Sequence, residues 1–262
     1  MSTLTISTIQ SNLFWEDKKA NLDMFEKKIE AIEEKTEIII LPEMFSTGFT
    51  MNPSAFAEKM DGITVSWMQE KSRKKNIVLT GSIIIEESGN YYNRLLWVLP
   101  NGEIGYYDKR HLFGFAGENH HYAAGNKRLI ASVKGWRINL QICYDLRFPV
   151  WSRQTKNDTV PEYDILLYLA NWPERRSAAW KTLLTARAIE NQCFVVGVNR
   201  VGNDGNGIYH SGDSLVINPL GEILHHTAHE ENSATITLNK DLLNETRMKF
   251  PFLKDGDDFF IQ

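Results

Sequence analysis

Residues 37–43 read EIIILPE. Four apolar residues in a row, Ile38 to Leu41, leave no polar face, so the segment predicts a strand covered on both sides. Pro42 ends it, because proline has no N–H to give to a β-ladder, and Glu43 therefore stands just past a strand end. Upstream, apolar and polar positions alternate from Leu4 to Gln10, and Leu22, Phe25, Ile29 and Ile32 recur at helical spacing. The chain thus opens as strand, helix, strand.

Further along, the spacing predicts a helix near Ser66 to Lys75 and a strand from Ile77 to Ile85. The strand NYYNRLLWVL then runs through the turn Pro100-Asn101-Gly102 into EIGYYDK, a hairpin-like pair. Strands at Trp136 to Ile142 and Tyr163 to Leu169 flank a short helical candidate around Leu146 to Gln154. The helix former SAAWKTLLTARAIEN leads to the strand CFVVGVN. After the glycine-rich loop NDGNG, a closing hairpin is expected around INPLGEIL, with Pro219 to Gly221 as its turn, and a last strand near Ala234 to Leu238. From Asn239 the chain is mixed and charged. No repeat or linker interrupts it, so residues 1–262 read as one domain, with a mixed sheet or two packed sheets and helices outside.

Composition narrows the function. The 262 residues are 42% hydrophobic and 11% aromatic, with 29 basic and 33 acidic side chains and a net charge of −4. That balance carries no electrostatic footprint for nucleic acid or an anionic membrane, which leaves a small molecule or another copy of the chain as partner. MSTLTISTIQ lacks the basic and apolar regions of a secretory signal, and no apolar run reaches the ~18 residues of a membrane span. The expectation is a soluble cytoplasmic protein. Two cysteines 50 positions apart make neither a disulfide framework nor a zinc site and read as thiols.

Several polar residues fall at or beyond the expected strand ends: Glu43, Lys109, Cys143, Asn171 and Asn199. In α/β proteins, sites gather where strand ends open into loops. A free cysteine has a pKa of ~8.5, so nucleophilic use of Cys143 needs an adjacent base or cation. Glu43 would serve as the base, and Lys109 as the cation facing the oxygen of an attacked carbonyl, beside the backbone N–H of Tyr144. Taken singly, each residue has an ordinary reading: Cys143 as a packed core thiol, as Cys193 in CFVVGV is; Glu43 as a loop acid; Lys109 as a surface cation. What speaks for chemistry is the order of the words LPEMFSTGF, YDKRHLF and CYDLRFP along one chain.

With those words, and with ANWP, TARAIENQ, NRVGNDGNG and GDS after them, the sequence resembles the carbon-nitrogen hydrolase (nitrilase) superfamily, most closely its ω-amidase branch. The resemblance implies a four-layer α-β-β-α sandwich with two six-stranded sheets. It implies a Glu43, Lys109, Cys143 triad of general base, oxyanion stabiliser and nucleophile, with Glu118 as a second glutamate near the triad and Tyr144 as an oxyanion donor. The activity implied is hydrolysis of the ω-amide of 2-oxoglutaramate or 2-oxosuccinamate through a thioester, with no cofactor and no metal. A homodimer is expected, with the tail from about 239 to 262 in its interface. Arg147, Arg175 and Arg176 are candidates for the substrate carboxylate, and Asn171 and Trp172 for the pocket wall, although the tryptophan reads equally as core. After FP many relatives carry an acid, where this chain has Val150 and Trp151. That departure bears on local packing or a dimer contact.

The same triad also serves nitrilases, N-carbamoyl hydrolases and deaminated-glutathione amidases, so it does not choose among amide, carbamoyl and nitrile substrates. A binding or scaffold subunit is the non-enzymatic reading, disfavoured because all three triad residues are present. The histidine groups at 120–121 and 225–229 carry no metal-site word such as HExxH and read as surface histidines. His111 reads as a structural donor. NDGNG lacks the spacing of a phosphate loop and reads as a tight loop with residues at positive φ.

Overall fold

The strand predicted at 38–41 lies inside a six-stranded sheet. The computed structural model describes residues 3–154, 161–257 and 259. Its first half contains β1 (Thr3–Gln10), α1 (Lys18–Glu30), β2 (Ile38–Ile40), α2 (Pro53–Phe56), α3 (Ile63–Lys75), β3 (Val78–Glu87), β4 (Asn90–Val98) and β5 (Ile104–Asp108). The next stretch holds α4 (Glu118–His121), β6 (Ile130–Val133), β7 (Trp136–Ile142), α5 (Pro149–Ser152), β8 (Ile165–Ala170) and α6 (Ser177–Asn191). The chain closes with β9 (Phe194–Asn199), β10 (Val201–Asn203), β11 (Tyr209–Ile217), β12 (Ile223–Ala228), β13 (Asn232–Asn239) and α7 (Lys240–Lys249). One sheet has the order β13-β1-β2-β3-β4-β5, the other β10-β11-β9-β8-β7-β6 with β12 paired to β11.

Each sheet has a parallel centre, β1-β2-β3 in one and β7-β8-β9 in the other. Such strands are covered on both faces, and their side chains divide accordingly. Ile38 and Ile40 join Ile138, Leu140, Ile165 and Leu167 in the core between the sheets. Ile39 points the other way, into a layer with Phe25 and Ile29 of α1 and Val65 and Met68 of α3. In the second sheet Leu166 and Tyr168 likewise face outward, onto Trp180, Leu184 and Ala188 of α6. Helix, sheet, sheet, helix is the four-layer sandwich expected.

Three details differ from the sequence reading. The second sheet has seven strands, not six, because β11 pairs β10 through Tyr209–Ser211, β9 through Leu215–Ile217 and β12 through Gly212–Ile217; its register with β12 shifts where Asp213 takes φ +56°. The helical candidate at 146–154 is split into a 3-10 turn, Cys143–Arg147, and the single turn α5. Pro149 is the cause: a residue before proline is pushed out of the helical region, and Phe148 has φ −115°, ψ 84°. The charged C-terminal stretch contains α7, capped by the Asn239 side chain on Asp241 N and anchored by buried Leu243. Residues 258 and 260–262 of the expected interface tail lie outside the described residues.

Close approach of α6 to β9 depends on Gly197, where an added Cβ would stand 2.6 Å from Leu184 and 2.8 Å from Trp180. Overpacking of this kind costs about 1–3 kcal/mol. Gly197→Ala should therefore lower the melting temperature by roughly 2–10 °C, measured by calorimetry; an unchanged transition would show that the two layers slide freely.

Candidate active site

The strand ends of both sheets meet at one end of the sandwich. Glu43 follows β2, Lys109 follows β5, Cys143 follows β7 and Asn171 follows β8. All but the cysteine are buried; Cys143 is partly open to a cavity of about 350 Å³. That cavity is lined by Glu43, Lys109, Cys143, Tyr144, Asn171 and Trp172. Phe49, Phe113, Phe115, Arg147, Arg175, Arg176 and residues of the 204–210 hairpin form much of the rest of its wall. Glu43 and Lys109 mark its deep end and Phe115, 81% exposed, its mouth.

Lys109 is the centre of the deep end. Its Nζ lies 3.0 Å from Glu43 Oε1 and 2.9 Å from both carboxylate oxygens of Glu118. Burial alone would lower the ammonium's pKa, but Glu118 and Glu43 outweigh it and hold the group above its ordinary value. Glu118, the second glutamate of the sequence reading, also accepts the Phe113 N–H at 2.5 Å. Its own pKa is raised by burial, against the pull of Lys109.

Glu43 is held by three donors: Lys109, Asn93 Nδ2 at 2.8 Å and the Asn171 N–H at 2.7 Å. Asn171 Nδ2 returns to the Glu43 carbonyl at 2.6 Å. Because Glu43 follows a strand of one sheet and Asn171 a strand of the other, this exchange ties the two sheets together at the site.

Cys143 sits at φ +43°, in the left-handed region that a residue with a side chain rarely adopts. A sharp strand-to-helix turn of this kind lifts a side chain clear of its sheet. The thiol's pKa is raised well above the ordinary value, first by burial and then by the negative charge of Glu43, with Lys109 opposing. Both effects favour the thiol over the thiolate.

The arginines occupy the outer wall. Arg176 stacks on Phe113 (5.0 Å) and Arg147 on Trp172 (5.1 Å). Among the described residues, none of Arg147, Arg175 and Arg176 has a carboxylate partner within ion-pair distance. Burial and the neighbouring Arg175 and Arg147 lower the Arg176 pKa.

The remaining candidates fall into place around this cavity. Trp172 lines it and also packs on Trp180, so both of its readings hold. Asn199 braces the wall from behind, exchanging hydrogen bonds with the Trp172 backbone at 2.8 and 2.9 Å. His111 is a structural donor, with Nδ1 2.8 Å from Asp145 Oδ1. The NDGNG loop is tight, with Gly207 at φ +72°, and Asp204 and Asn206 also line the cavity, a role its spacing did not signal. Behind that loop His210 is pushed down to about 4 by burial with Arg200 nearby, so it is neutral at pH 7. His120, His121 and His226 are exposed, and among the described residues no group of three or more His, Cys, Asp and Glu is placed to hold a metal.

Comparison with known proteins gives a coherent set. The carbon-nitrogen hydrolase family model matches residues 5–248. A protein of Escherichia coli (strain K12) named omega-amidase YafV is 46% identical over 260 residues, 99% of each chain. A 2-oxoglutaramate amidase of Bacillus subtilis (strain 168) is 30% identical over 254 residues, 96% of each. The solved structure of XC1258 from Xanthomonas campestris, described as a CN-hydrolase superfamily protein with an arsenic adduct in its active site, superposes with a TM-score of 0.97. It is 44% identical, and all of both chains is covered.

A raised thiol pKa fixes the alkylation profile of Cys143. Reaction with iodoacetamide should be slow at pH 7 and rise about tenfold per pH unit without levelling off below pH 9. Peptide mass spectrometry would read it, with buried Cys193 silent in the folded protein. A plateau near pH 7 would mean a preformed thiolate.

Proposed function

The chain belongs to the carbon-nitrogen hydrolase family, and from that premise we propose that it is an ω-amidase working through Cys143, Glu43 and Lys109. The observation that carries this reading is the Lys109 ammonium held between two carboxylates at the deep end of the cavity into which Cys143 opens. The 46% and 30% identities to an omega-amidase and a 2-oxoglutaramate amidase support the substrate class. The substrate is an ω-amide of a 2-oxo dicarboxylate, 2-oxoglutaramate or 2-oxosuccinamate, and the products are the dicarboxylate and ammonia.

Glu43 takes the Cys143 proton as the sulfur attacks the amide carbon. The oxygen of the tetrahedral intermediate faces the Lys109 ammonium and the Tyr144 N–H at the start of the 3-10 turn. The C–N bond breaks, Glu43 returns the proton to nitrogen, and ammonia leaves a thioester. Water that loses its proton to Glu43 then attacks the thioester and restores the thiol, while Glu118 keeps Lys109 in place. The cycle needs no net gain or loss of protons at the site, because the base and the thiol exchange one proton in both directions.

The unpaired arginines orient the substrate. Arg176 is the best placed, being half-buried and backed by the Phe113 ring. Asn171 and Trp172 shape the wall between it and the nucleophile. The working unit is a cytoplasmic homodimer. Supporting the dimer are the exposed apolar side chains Ile189, Leu220, Ile223 and Leu224, clustered where α6 ends beside the β11–β12 turn. No helix of the described residues is long and apolar enough to cross a membrane.

Incubation with 2-oxoglutaramate in the presence of a chelator should release ammonia from the wild type and none from Cys143→Ala. Equal release by both would end the nucleophile assignment. Arg176→Ala should raise KM for that substrate by roughly 10–100-fold, the worth of one charged hydrogen bond. An unmoved KM would transfer the carboxylate to another group.

A further inference from the structure

Asp145 is fully buried two residues past the nucleophile and is not part of the cavity wall. Its carboxylate takes four donors. Oδ1 accepts the His111 N–H at 2.9 Å and pairs with His111 Nδ1 at 2.8 Å. Oδ2 accepts the Tyr107 hydroxyl at 2.8 Å and the Ile142 N–H at 3.0 Å. Tyr107 and His111 lie two residues to either side of Lys109, and Ile142 immediately precedes Cys143. The Tyr107 oxygen is fixed in turn by Trp151 Nε1 at 2.9 Å and Arg110 N at 3.2 Å.

We propose that Asp145 is a positioning residue that sets the separation of Lys109 and Cys143, its carboxylate binding the segment that carries the ammonium to the turn that carries the thiol. The lysine belongs to one sheet and the cysteine to the other, so without such a link their separation would rest on apolar packing between the sheets and on the Asn171–Glu43 exchange alone. An ionised carboxylate is the side chain suited to this role, because it accepts at both oxygens and donates at neither. Asparagine has the same size, but whichever way its amide turns, an NH2 group meets two donors. The strained φ at Cys143 adds to the need, since a residue in that region persists only where its surroundings over-determine it. Trp151 belongs to the same network through Tyr107.

The inference rests on the triad reading above, and the assay separates the two. Turnover of 2-oxoglutaramate is measured for wild type, Cys143→Ala, Asp145→Asn, Tyr107→Phe and the double variant Tyr107→Phe/Asp145→Asn. Rates are expressed per Cys143 thiol titrated in the folded protein, and for Cys143→Ala per folded chain by circular dichroism, which removes any loss of folded material. Asp145→Asn should lower kcat by roughly 10–100-fold, the scale of a 1 Å misplacement of reacting groups, with KM changed less than about threefold. Tyr107→Phe should lower kcat less, and the double variant should be no slower than Asp145→Asn, because both substitutions cut one link.

Wild-type turnover per thiol in Asp145→Asn, beside an inactive Cys143→Ala, would overturn the positioning role and leave the triad standing. So would a loss confined to KM. A fully active Cys143→Ala would remove both readings. If Asp145→Asn does not fold, Tyr107→Phe and His111→Phe decide the matter, each deleting one side-chain donor. A fall in kcat of threefold or more at constant KM supports the proposal, and wild-type kcat in both overturns it.

Discussion

An ammonium buried between two carboxylates is the constraint on which the site depends. Taking Lys109 out of water is tolerable because Glu43 and Glu118 both reach it within 3.0 Å. Removing one partner of such a group typically costs about 3–5 kcal/mol. The carboxylates need donors in their turn, and these come from the Asn93 side chain and the backbone N–H groups of Asn171 and Phe113. Each donor belongs to a different part of the chain. The charge cluster therefore recruits β4, the end of β8 and the mouth loop, and it is formed only when all of them are in place.

This explains why two sheets serve the site better than one. Glu43 and Lys109 hang from the first sheet, Cys143 and Asn171 from the second. The core between the sheets supplies the bulk of the attraction, through residues such as Ile40, Leu95, Leu140 and Leu167. Apolar contact is non-directional, so it leaves the relative placement of the strand ends loosely set. Directional bonds then fix that placement, with Asn171 held to Glu43 on one side of the thiol and Asp145 to Tyr107 and His111 on the other. Nothing in the strands themselves would place sulfur beside carboxylate.

The same division decides what could be read from the sequence. Ile38–Ile40, Trp136–Ile142 and α6 were legible because burial on two faces, or on one helical stripe, leaves a periodic mark. The short strands β6 and β10 carry too few residues for such a mark, and α7 was hidden by its charged outer face. The convergence of Glu43, Lys109 and Cys143 on one cavity was legible through their local words and the order of those words, since periodicity does not distinguish a buried lysine at a strand end from a surface one. Asn93, Asp145 and Phe113 were not, because their bonds join residues that are far apart in sequence or run through the backbone. Asn171 was picked out for the pocket wall; its bond to Glu43, across 128 positions, has no local trace. The NDGNG loop was read correctly as a tight turn, yet its place against the cavity follows from the pairing of β10 with β11.

Charge is distributed unevenly along the cavity, and this bears on selectivity more than the triad does. At the deep end the one ammonium is already claimed by two carboxylates, and His210 is neutral. At the wall three arginines stand without carboxylate partners among the described residues, two of them backed by aromatic rings. A substrate carboxylate entering first would meet Glu43 and Glu118 with no cation to spare. A carboxylate left at the wall meets Arg176, whose partial burial and repulsion from Arg175 and Arg147 it offsets. A molecule with an amide at one end and a carboxylate at the other therefore has one favourable orientation, amide inward. A neutral amide gains nothing from the arginines, and a molecule too short to span from Arg176 to Cys143 cannot satisfy both ends. In the proposed reaction, the separation between sulfur and guanidinium sets the length of the substrate.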